Sequence, residues 1–407
     1  MTTPEKQRTV PQNTHELQAF LARSNDAGTK IDVAGGETLA GMGAPPSGQE
    51  VLATTALKKI VAYAAADLTV CVQAGVTLKS LASRLKRDGQ FVPFDAPKPG
   101  RATVGGTLAA GWLGPRRHRY GRPRDLIVGS SIVLADGTLA RAGGRVVKNV
   151  AGYDLSRLYV GSFGTLGVLV QANFKTLPLP SAARVFLAPL PDGTRARAFA
   201  QVRALAVEPS AALWIDGFEK EISGEAGAQG RLFILLEGSD ELLERASRDL
   251  RSALGRAGVP QTEVIDARAR DAFEAAVDAY IANVADRSIT YRISGLPDSV
   301  ESRSLAARDL VRRFALDADT IADAMNGDVI VRASRLETRD LALKFQVLDD
   351  AIHQAERRVS IVAGEHAIRP ALAAWGSDPP ALARMRALKA SFDPHGILNA
   401  GRFIAGI

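Results

Sequence analysis

The chain contains few of the residues that build disulfides and metal centres. Among its 407 residues there is one cysteine, Cys71, which excludes an intrachain disulfide and a cysteine-based metal site. The five histidines show no spacing typical of metal ligands; they are His15, His118, His353, His366 and His395. We therefore expect a protein that holds no metal of its own.

Long apolar runs are absent as well. No stretch approaches the roughly 18 uninterrupted apolar residues of a membrane helix, and the polar start, Met1 to Arg8, predicts no signal peptide. Hydrophobic residues make up 46% of the chain and charged residues 23%, as in ordinary soluble proteins. We expect a cytoplasmic protein, and a peripheral position at the inner face of the cell membrane, within a membrane-bound complex, stays open.

Several familiar motifs are missing too. No Gly-x-Gly-x-x-Gly leads from a strand into a helix, and neither a P-loop nor a Gly-x-Ser-x-Gly elbow stands out, which disfavours a Rossmann nicotinamide site. The net charge of +7 is moderate for this length. Five arginines between Arg116 and Arg124 suit either an anion or a solvated basic loop. Tyr120 is the only aromatic residue among them, so we expect no nucleic-acid binding.

Glycine, in contrast, is concentrated in three loops. One glycine-dense stretch runs from Lys148 to Gly167 and leads into an alternating strand that begins near Val168. Glycine lets the backbone approach a ligand closely and adopt positive φ, so such a loop can turn several N–H groups toward a flat polar ligand. A glycine loop that feeds a strand differs from the dinucleotide-binding turn, which opens a helix.

The other two glycine loops lie nearer the N-terminus. Ala34 to Thr38 follows a short predicted strand, and its N–H groups suit a pyrophosphate nest or an ordinary turn. Glu37 in this loop would repel a phosphate unless its carboxylate points away or pairs with a base. The segment from Pro97 to Gly114 offers hydroxyl and backbone donors around Thr103 and Thr107, with a tight structural crossover as the alternative.

The predicted elements indicate an α+β protein. Capping residues Asn13, Thr77 and Ser239 each precede a helical apolar pattern, and Asp136-Gly137 predicts a hairpin turn. Alternating strands and helices beyond residue 180 predict helices on one face of an antiparallel sheet. We expect boundaries near residues 180 and 378, which divide the chain into segments 1–180, 181–378 and 379–407.

Taken together and in this order, these motifs resemble the FAD-binding domain of the vanillyl-alcohol-oxidase (PCMH-type) flavoprotein family. The resemblance rests on Gly35-Gly36, Thr103 to Gly106, Tyr120 to Asp125 and Gly161 to Gly167. It continues in the tail from Phe392 to Arg402, which is similar to a Phe-Asp-Pro-x-Gly-x-Leu-Asn-Pro-Gly ending with Ala400 in place of proline. Within the family, the chain is similar to the 2-hydroxyacid oxidase and dehydrogenase branch.

The resemblance implies FAD as cofactor and an FAD-binding domain of two α+β subdomains at 1–180. It also implies a cap domain for substrate or partner, with an antiparallel sheet, at 181–378, and a C-terminal segment at 379–407 that returns to the FAD-binding domain. Loops 34–38 and 103–107 would hold the pyrophosphate, and residues 161–168 would line the flavin or the adenine-ribose side. The residues that it assigns to cofactor binding are Gly35, Gly36, Glu37, Thr38, Thr103, Val104, Gly105, Gly106, Thr107, Gly111, Asp125, Gly161, Gly164, Thr165, Gly167, Val168 and Asn399.

The implied activity is that of an FAD-dependent oxidoreductase acting on CH–OH groups of a small 2-hydroxy acid. The chain lacks the His-x-Gly-Asp-Gly-Asn-x-His signature of catalytic relatives, and Phe163 stands where they commonly place Glu. We therefore expect an FAD-binding subunit that works with a catalytic flavoprotein subunit and an iron–sulfur subunit. Two alternatives stay open: an autonomous oxidase with His366 as a catalytic candidate, and an assembly scaffold without flavin, which Glu37 motivates.

Overall fold

Helices and strands combine into the mixed α+β structure that the sequence predicts. The structure, a computed structural model, describes residues 6–144, 153–191, 193–218, 230–259, 262–266, 268–281, 287–335, 340–364 and 368–407. These residues form two units. The first unit falls within residues 1–113, 122–179 and 378–407, and the second within 114–121 and 180–377. The segment 114–121, which the sequence assigned to the first domain, thus belongs to the second unit.

The first unit contains two main sheets. One is a parallel three-stranded sheet in the order β1-β3-β2, formed by β1 (Gln7–Thr9), β2 (Ile31–Ala34) and β3 (Glu50–Ala53). The other is antiparallel in the order β4-β5-β9-β7-β8, and a two-stranded pair joins β6 to β10. Their bounds are β4 (Ile60–Ala64), β5 (Thr69–Gln73), β6 (Gln90–Phe91), β7 (Ile127–Val133), β8 (Leu139–Gly143), β9 (Val168–Lys175) and β10 (Leu177–Pro178).

The helices of the first unit begin where the sequence places capping residues. The Asn13 side chain accepts a hydrogen bond from the Glu16 amide, and Thr77 does the same for Ser80. Thr103 caps a helix that the sequence did not predict. The helices are α1 (Thr14–Ala27), α2 (Leu78–Lys86), α3 (Val104–Ala110), α5 (Pro123–Leu126), α6 (Leu155–Tyr159) and α12 (Leu382–Phe392); α4 (Arg117–Tyr120) lies in the second unit.

A core between α1 and both sheets holds the first unit together. Leu17 and Leu21 of α1 are fully buried against Val168 and Val170 of β9. Every second residue of β9 is buried, as its alternating pattern predicts. Ile397 and Leu398 from the C-terminal segment complete this core, so the tail is part of the first unit.

The second unit is built on one eight-stranded antiparallel sheet in the order β14-β11-β13-β12-β16-β17-β15-β18. The strands are β11 (Ala182–Pro189), β12 (Ala211–Asp216), β13 (Arg231–Gly238), β14 (Glu263–Ile265), β15 (Ser288–Ser294), β16 (Asp317–Asp323), β17 (Asp328–Ser334) and β18 (Val359–Gly364). The helices are α7 (Arg195–Arg203), α8 (Asp240–Arg256), α9 (Ala269–Ala279), α10 (Val300–Arg313) and α11 (Leu341–Ala355).

One face of this sheet is covered by four helices, α7, α8, α10 and α11. Phe199 of α7, Leu250 of α8, Val311 of α10 and Phe345 of α11 share one buried core with alternate residues of the strands, among them Trp214. This is the two-layer arrangement that the alternation of elements predicts. Because strand side chains alternate between the faces, the intervening residues lie on the opposite face.

Candidate functional site

The three glycine loops converge in the first unit. A Cβ on Gly36 would lie 1.7 Å from the carbonyl oxygen of Arg101, and one on Gly35 would lie 2.4 Å from the Thr103 hydroxyl. The second and third loops also touch, since a Cβ on Gly111 would lie 2.7 Å from the Cα of Gly161. Only glycine allows these approaches, so the three loops form one cradle.

The first loop presents free amides. Within the described part of the chain, the N–H groups of Gly35, Gly36, Glu37 and Thr38 donate to no protein acceptor. Glu37 has a left-handed backbone with φ of 57°, which helps to turn successive N–H groups toward one point. Its carboxylate points instead to Arg8, with 2.6 Å between Arg8 Nη2 and Glu37 Oε1. The loop therefore has the free amides that an anion nest requires, and its own carboxylate has a basic partner.

The second loop offers a ligand the Thr107 hydroxyl, but no free amide between residues 104 and 107. The N–H groups of residues 104–107 all donate within the protein: to Val76 O, Ala74 O, Thr103 Oγ1 and Thr103 O. This differs from the expectation that this loop offers both kinds of donor. The Thr107 hydroxyl, in contrast, is buried and has no hydrogen-bond partner among the described residues. A buried unpaired hydroxyl is costly, so Thr107 suits a polar group of a ligand.

The third loop also presents backbone donors. In the described ranges, the amides of Gly164, Leu166 and Gly167 have no protein acceptor. Phe163 takes a left-handed φ of 55°, which is uncommon for a bulky residue, and stacks on Phe403 with 5.8 Å between ring centroids. Strained backbone of this kind is concentrated at functional sites.

The side chains of two further residues of this loop, Thr165 and Val168, make contacts within the protein. The Thr165 hydroxyl donates to Ser162 O at 2.7 Å, and the Val168 side chain lies in the core. Any ligand contact of these two residues must therefore come from their backbone.

Asn399 joins the first loop to the third. Its Oδ1 accepts from the Val33 amide at 2.8 Å, and its Nδ2 donates to Phe163 O at 2.5 Å. Both ends of this buried side chain are thus engaged by backbone, immediately before the first loop and inside the third. The geometry makes Asn399 a residue that positions the loops.

A buried ion pair holds the segment that carries Asn399. Lys389 Nζ lies 2.5 Å from Asp393 Oδ2 and donates to Thr165 O and Leu398 O. Burial lowers the pKa of Lys389, and the hydrogen bond to Asp393 opposes this. Asp393 in turn accepts from the Ile397 and Leu398 amides, so the tail motif fixes its own turn.

Asp125 has a local structural role. Its carboxylate accepts hydrogen bonds from the amide and the Nε of Arg122 at the start of α5. Burial alone would raise the pKa of Asp125, but these Arg122 hydrogen bonds hold it below its usual value. The predicted residues Lys148 to Gly152 and His366 lie outside the described residues.

In the second unit, the basic run is paired internally. Arg116 Nη1 lies 3.1 Å from Glu237 Oε1, and Tyr120 donates to the other oxygen of Glu237. Burial, together with the Glu237 charge, raises the pKa of Tyr120 to about 12. Arg117 Nη2 lies 2.8 Å from Asp328 Oδ2. These contacts exclude a solvated loop for this part of the run and give its first two arginines carboxylate partners within the protein.

The sheet face opposite the helices carries buried ion pairs. Arg292 donates through Nε to Asp328 at 3.0 Å, and Arg332 donates through Nε to Asp319 at 2.7 Å. Burial raises the pKa of Asp323 to about 6, although Arg117 opposes this. Each of these arginines therefore has an internal carboxylate partner.

Two features are absent from the described residues, a metal-binding cluster and a membrane-spanning helix. These residues contain no group of three or more His, Cys, Asp and Glu residues placed to hold a metal ion. They also contain no helix long and apolar enough to cross a membrane.

Comparisons with known proteins indicate an FAD-linked protein. Residues 6–143 match the family described as FAD binding domain, and residues 363–403 match the C-terminal domain of FAD linked oxidases. The chain is 27% identical over 416 residues to glycolate oxidase subunit GlcD of Bacillus subtilis (strain 168), covering 97% of this chain and 88% of GlcD. It is 41% identical over 170 residues to glycolate oxidase subunit GlcE of Escherichia coli (strain K12), covering 41% of this chain and 48% of GlcE.

A solved structure supports the fold. P-cresol methylhydroxylase with substrate bound superimposes with a TM-score of 0.71 at 15% identity, covering 97% of this chain and 88% of that one. The predicted PCMH-type fold and the predicted cofactor, FAD, are confirmed. The cradle fits this cofactor, because free amides suit a diphosphate and a buried unpaired hydroxyl suits a polar ligand atom.

Proposed function

Since the chain is an FAD-linked oxidoreductase, we propose that it is the FAD-binding subunit of a complex that oxidises glycolate, or a closely similar 2-hydroxy acid, and passes the electrons to a partner acceptor. The observation that carries the proposal is the cradle itself, in which the amides of Gly35 to Thr38 have no protein acceptor and the buried Thr107 hydroxyl has no partner among the described residues. The similarity to two glycolate oxidase subunits supports the substrate class.

The residues of the cradle divide the work of holding FAD. The amides of residues 35–38 would bind the diphosphate, and the Thr107 hydroxyl would contact a polar atom of the cofactor. The amides of Gly164, Leu166 and Gly167 would orient the rest of the cofactor, while Asn399 holds the two amide-bearing loops together. When bound, FAD would supply the redox chemistry of this subunit, the uptake and release of electrons.

The ion pairs of the second unit support a role as one subunit among several. A 2-hydroxy acid carries a carboxylate, and proteins usually bind a carboxylate with arginine. On the sheet face opposite the helices, Arg292 and Arg332 already bind Asp328 and Asp319. We therefore assign substrate oxidation to a catalytic flavoprotein partner.

With one cysteine in this chain, an iron–sulfur cluster belongs to another subunit, and such partners would bring the complex to the inner face of the membrane.

The pairing of Glu37 argues against the scaffold alternative. That alternative rests on a carboxylate beside the phosphate nest, but Arg8 provides the basic partner that this carboxylate needs. The nest therefore keeps the features of an anion site.

Purification of the chain alone and with its partners tests the proposal. The isolated chain should show stoichiometric flavin absorbance but no oxidation of glycolate with an artificial electron acceptor. The co-purified complex should oxidise glycolate and contain an iron–sulfur protein. Full turnover by the isolated chain would reject the subunit assignment, and a colourless chain that takes up no added FAD would reject the flavin-binding role.

A further inference from the structure

Glu37 is an unusual residue for the place that it occupies. It takes a left-handed backbone, which glycine adopts most easily, in the middle of four consecutive free amides. The loop gains its concave shape from this conformation, but it also gains a carboxylate close to the position of a diphosphate. An unpaired carboxylate there would repel the cofactor.

Arg8 is held where it can neutralise this carboxylate. It lies in β1 and is paired in register with Val51 of β3, so its backbone is fixed by the parallel sheet. Its Nη2 lies 2.6 Å from Glu37 Oε1, and both side chains remain partly exposed. An exposed pair of this kind contributes little to folding stability, which points to a role other than stability.

We propose that Arg8 is a positioning residue for FAD: it turns the Glu37 carboxylate away from the nest and neutralises its charge beside the diphosphate. This rests on the proposed function only in that loop 34–38 binds the diphosphate. Removal of Arg8 should weaken FAD binding about 3- to 10-fold, the size expected when one screened charge is left near an anion.

A double-mutant cycle tests the proposal. FAD binding to the apoprotein is measured by flavin fluorescence for wild type, Arg8→Ala, Glu37→Gln and the double variant, at low and high salt. Arg8→Ala should lower the affinity, more so at low salt, and Glu37→Gln should not. In the Glu37→Gln protein, Arg8→Ala should leave FAD affinity almost unchanged. The same pattern should hold for ADP, which carries the diphosphate without the flavin.

The matched control is Arg84→Ala, which removes an equally exposed pair at the same distance, 2.6 Å, from α2. It should leave FAD binding unchanged. If Arg8→Ala lowers FAD affinity equally in the wild-type and Glu37→Gln proteins, or in neither, the proposed role of Arg8 is overturned.

The Gly36→Ala variant distinguishes failure of the inference about Arg8 from failure of loop 34–38 as the FAD site. Its Cβ would clash with Arg101 O and distort the loop. If Gly36→Ala abolishes FAD binding while the cycle shows no coupling, only the inference about Arg8 fails. If a folded Gly36→Ala protein still binds FAD normally, the assignment of the loop fails, and the inference fails with it.

Discussion

Replacement of Thr107 by valine should change apoprotein stability and cofactor affinity in opposite directions. The Thr107 hydroxyl is buried in α3 without a partner among the described residues. Valine has nearly the same shape but no hydroxyl. Removing an unsatisfied buried polar group should stabilise the apoprotein by about 1–2 kcal/mol, within the range for such groups.

Under the proposed function, the same substitution also removes a hydrogen bond to FAD. A hydrogen bond to a charged or strongly polar group contributes about 1.5–3 kcal/mol, so the dissociation constant of FAD should rise about 10- to 100-fold. Thermal unfolding of the apoprotein and fluorescence titration with FAD give the two quantities. The apoprotein should melt a few degrees higher, at about 2–4 °C per kcal/mol for a chain of this size class.

Thr103→Val is the matched control. The Thr103 hydroxyl accepts from the Gly106 amide and caps α3, so its loss should destabilise the apoprotein by about 1 kcal/mol. If Thr107→Val lowers the stability of the apoprotein as Thr103→Val does, or leaves FAD affinity unchanged, the hydroxyl is not reserved for the cofactor.

Three other changes test separate parts of the account. Asn399→Ala removes an acceptor from the Val33 amide and a donor from Phe163 O, so thermal unfolding should show a loss of about 2–4 kcal/mol, and the purified protein should lack flavin; normal flavin content would reject the positioning role. Gly111→Ala should also lose flavin, as measured by absorbance, because its Cβ would meet Gly161 and its φ is 60°. Burial raises the pKa of Asp323 to about 6, so the native state binds this proton more tightly than the unfolded chain does. The ionised form is therefore penalised, and stability should fall by up to about 3 kcal/mol as the pH rises from about 4 to 6. Denaturant unfolding should show that Asp323→Asn removes this fall relative to wild type, and identical pH profiles would contradict the assignment.

Much of the fold could be predicted from local chemistry. The caps at Asn13, Thr77 and Ser239 each start a helix, and β9 buries alternate residues from Val168 onward. The turn at Asp136-Gly137 joins β7 to β8, with Gly137 at a φ of 86°. These features depend on residues that are neighbours in the sequence, so the sequence pattern predicts them.

Other elements could not be predicted because their cause is distant. Helix α3 was expected to be a glycine loop, since glycine disfavours helices. Gly105 is required there because a Cβ would lie 2.8 Å from Ala74 Cβ, a contact across the fold. Helix α11 was missed because Leu343 and Val347 are exposed apolar residues, which obscure the helical period.

Only part of the candidate site could be predicted from the sequence. The glycine positions indicated the cradle, but the hydrogen-bond partners of its residues depend on the fold. No local pattern indicates that Glu37 pairs with Arg8, or that both ends of the Asn399 side chain bind backbone groups. Arginines 116 and 117 were read as a possible anion site because their carboxylate partners lie more than 100 residues away, at Glu237 and Asp328.

The flavin content of the purified chain tests the central claim most directly. Absorbance of the flavin released from the wild-type protein, divided by the amount of chain, should give one FAD per chain, and Gly36→Ala, whose Cβ would lie 1.7 Å from Arg101 O, should give none. Equal flavin content in both folded proteins, or none in wild type after incubation with FAD, would contradict the account.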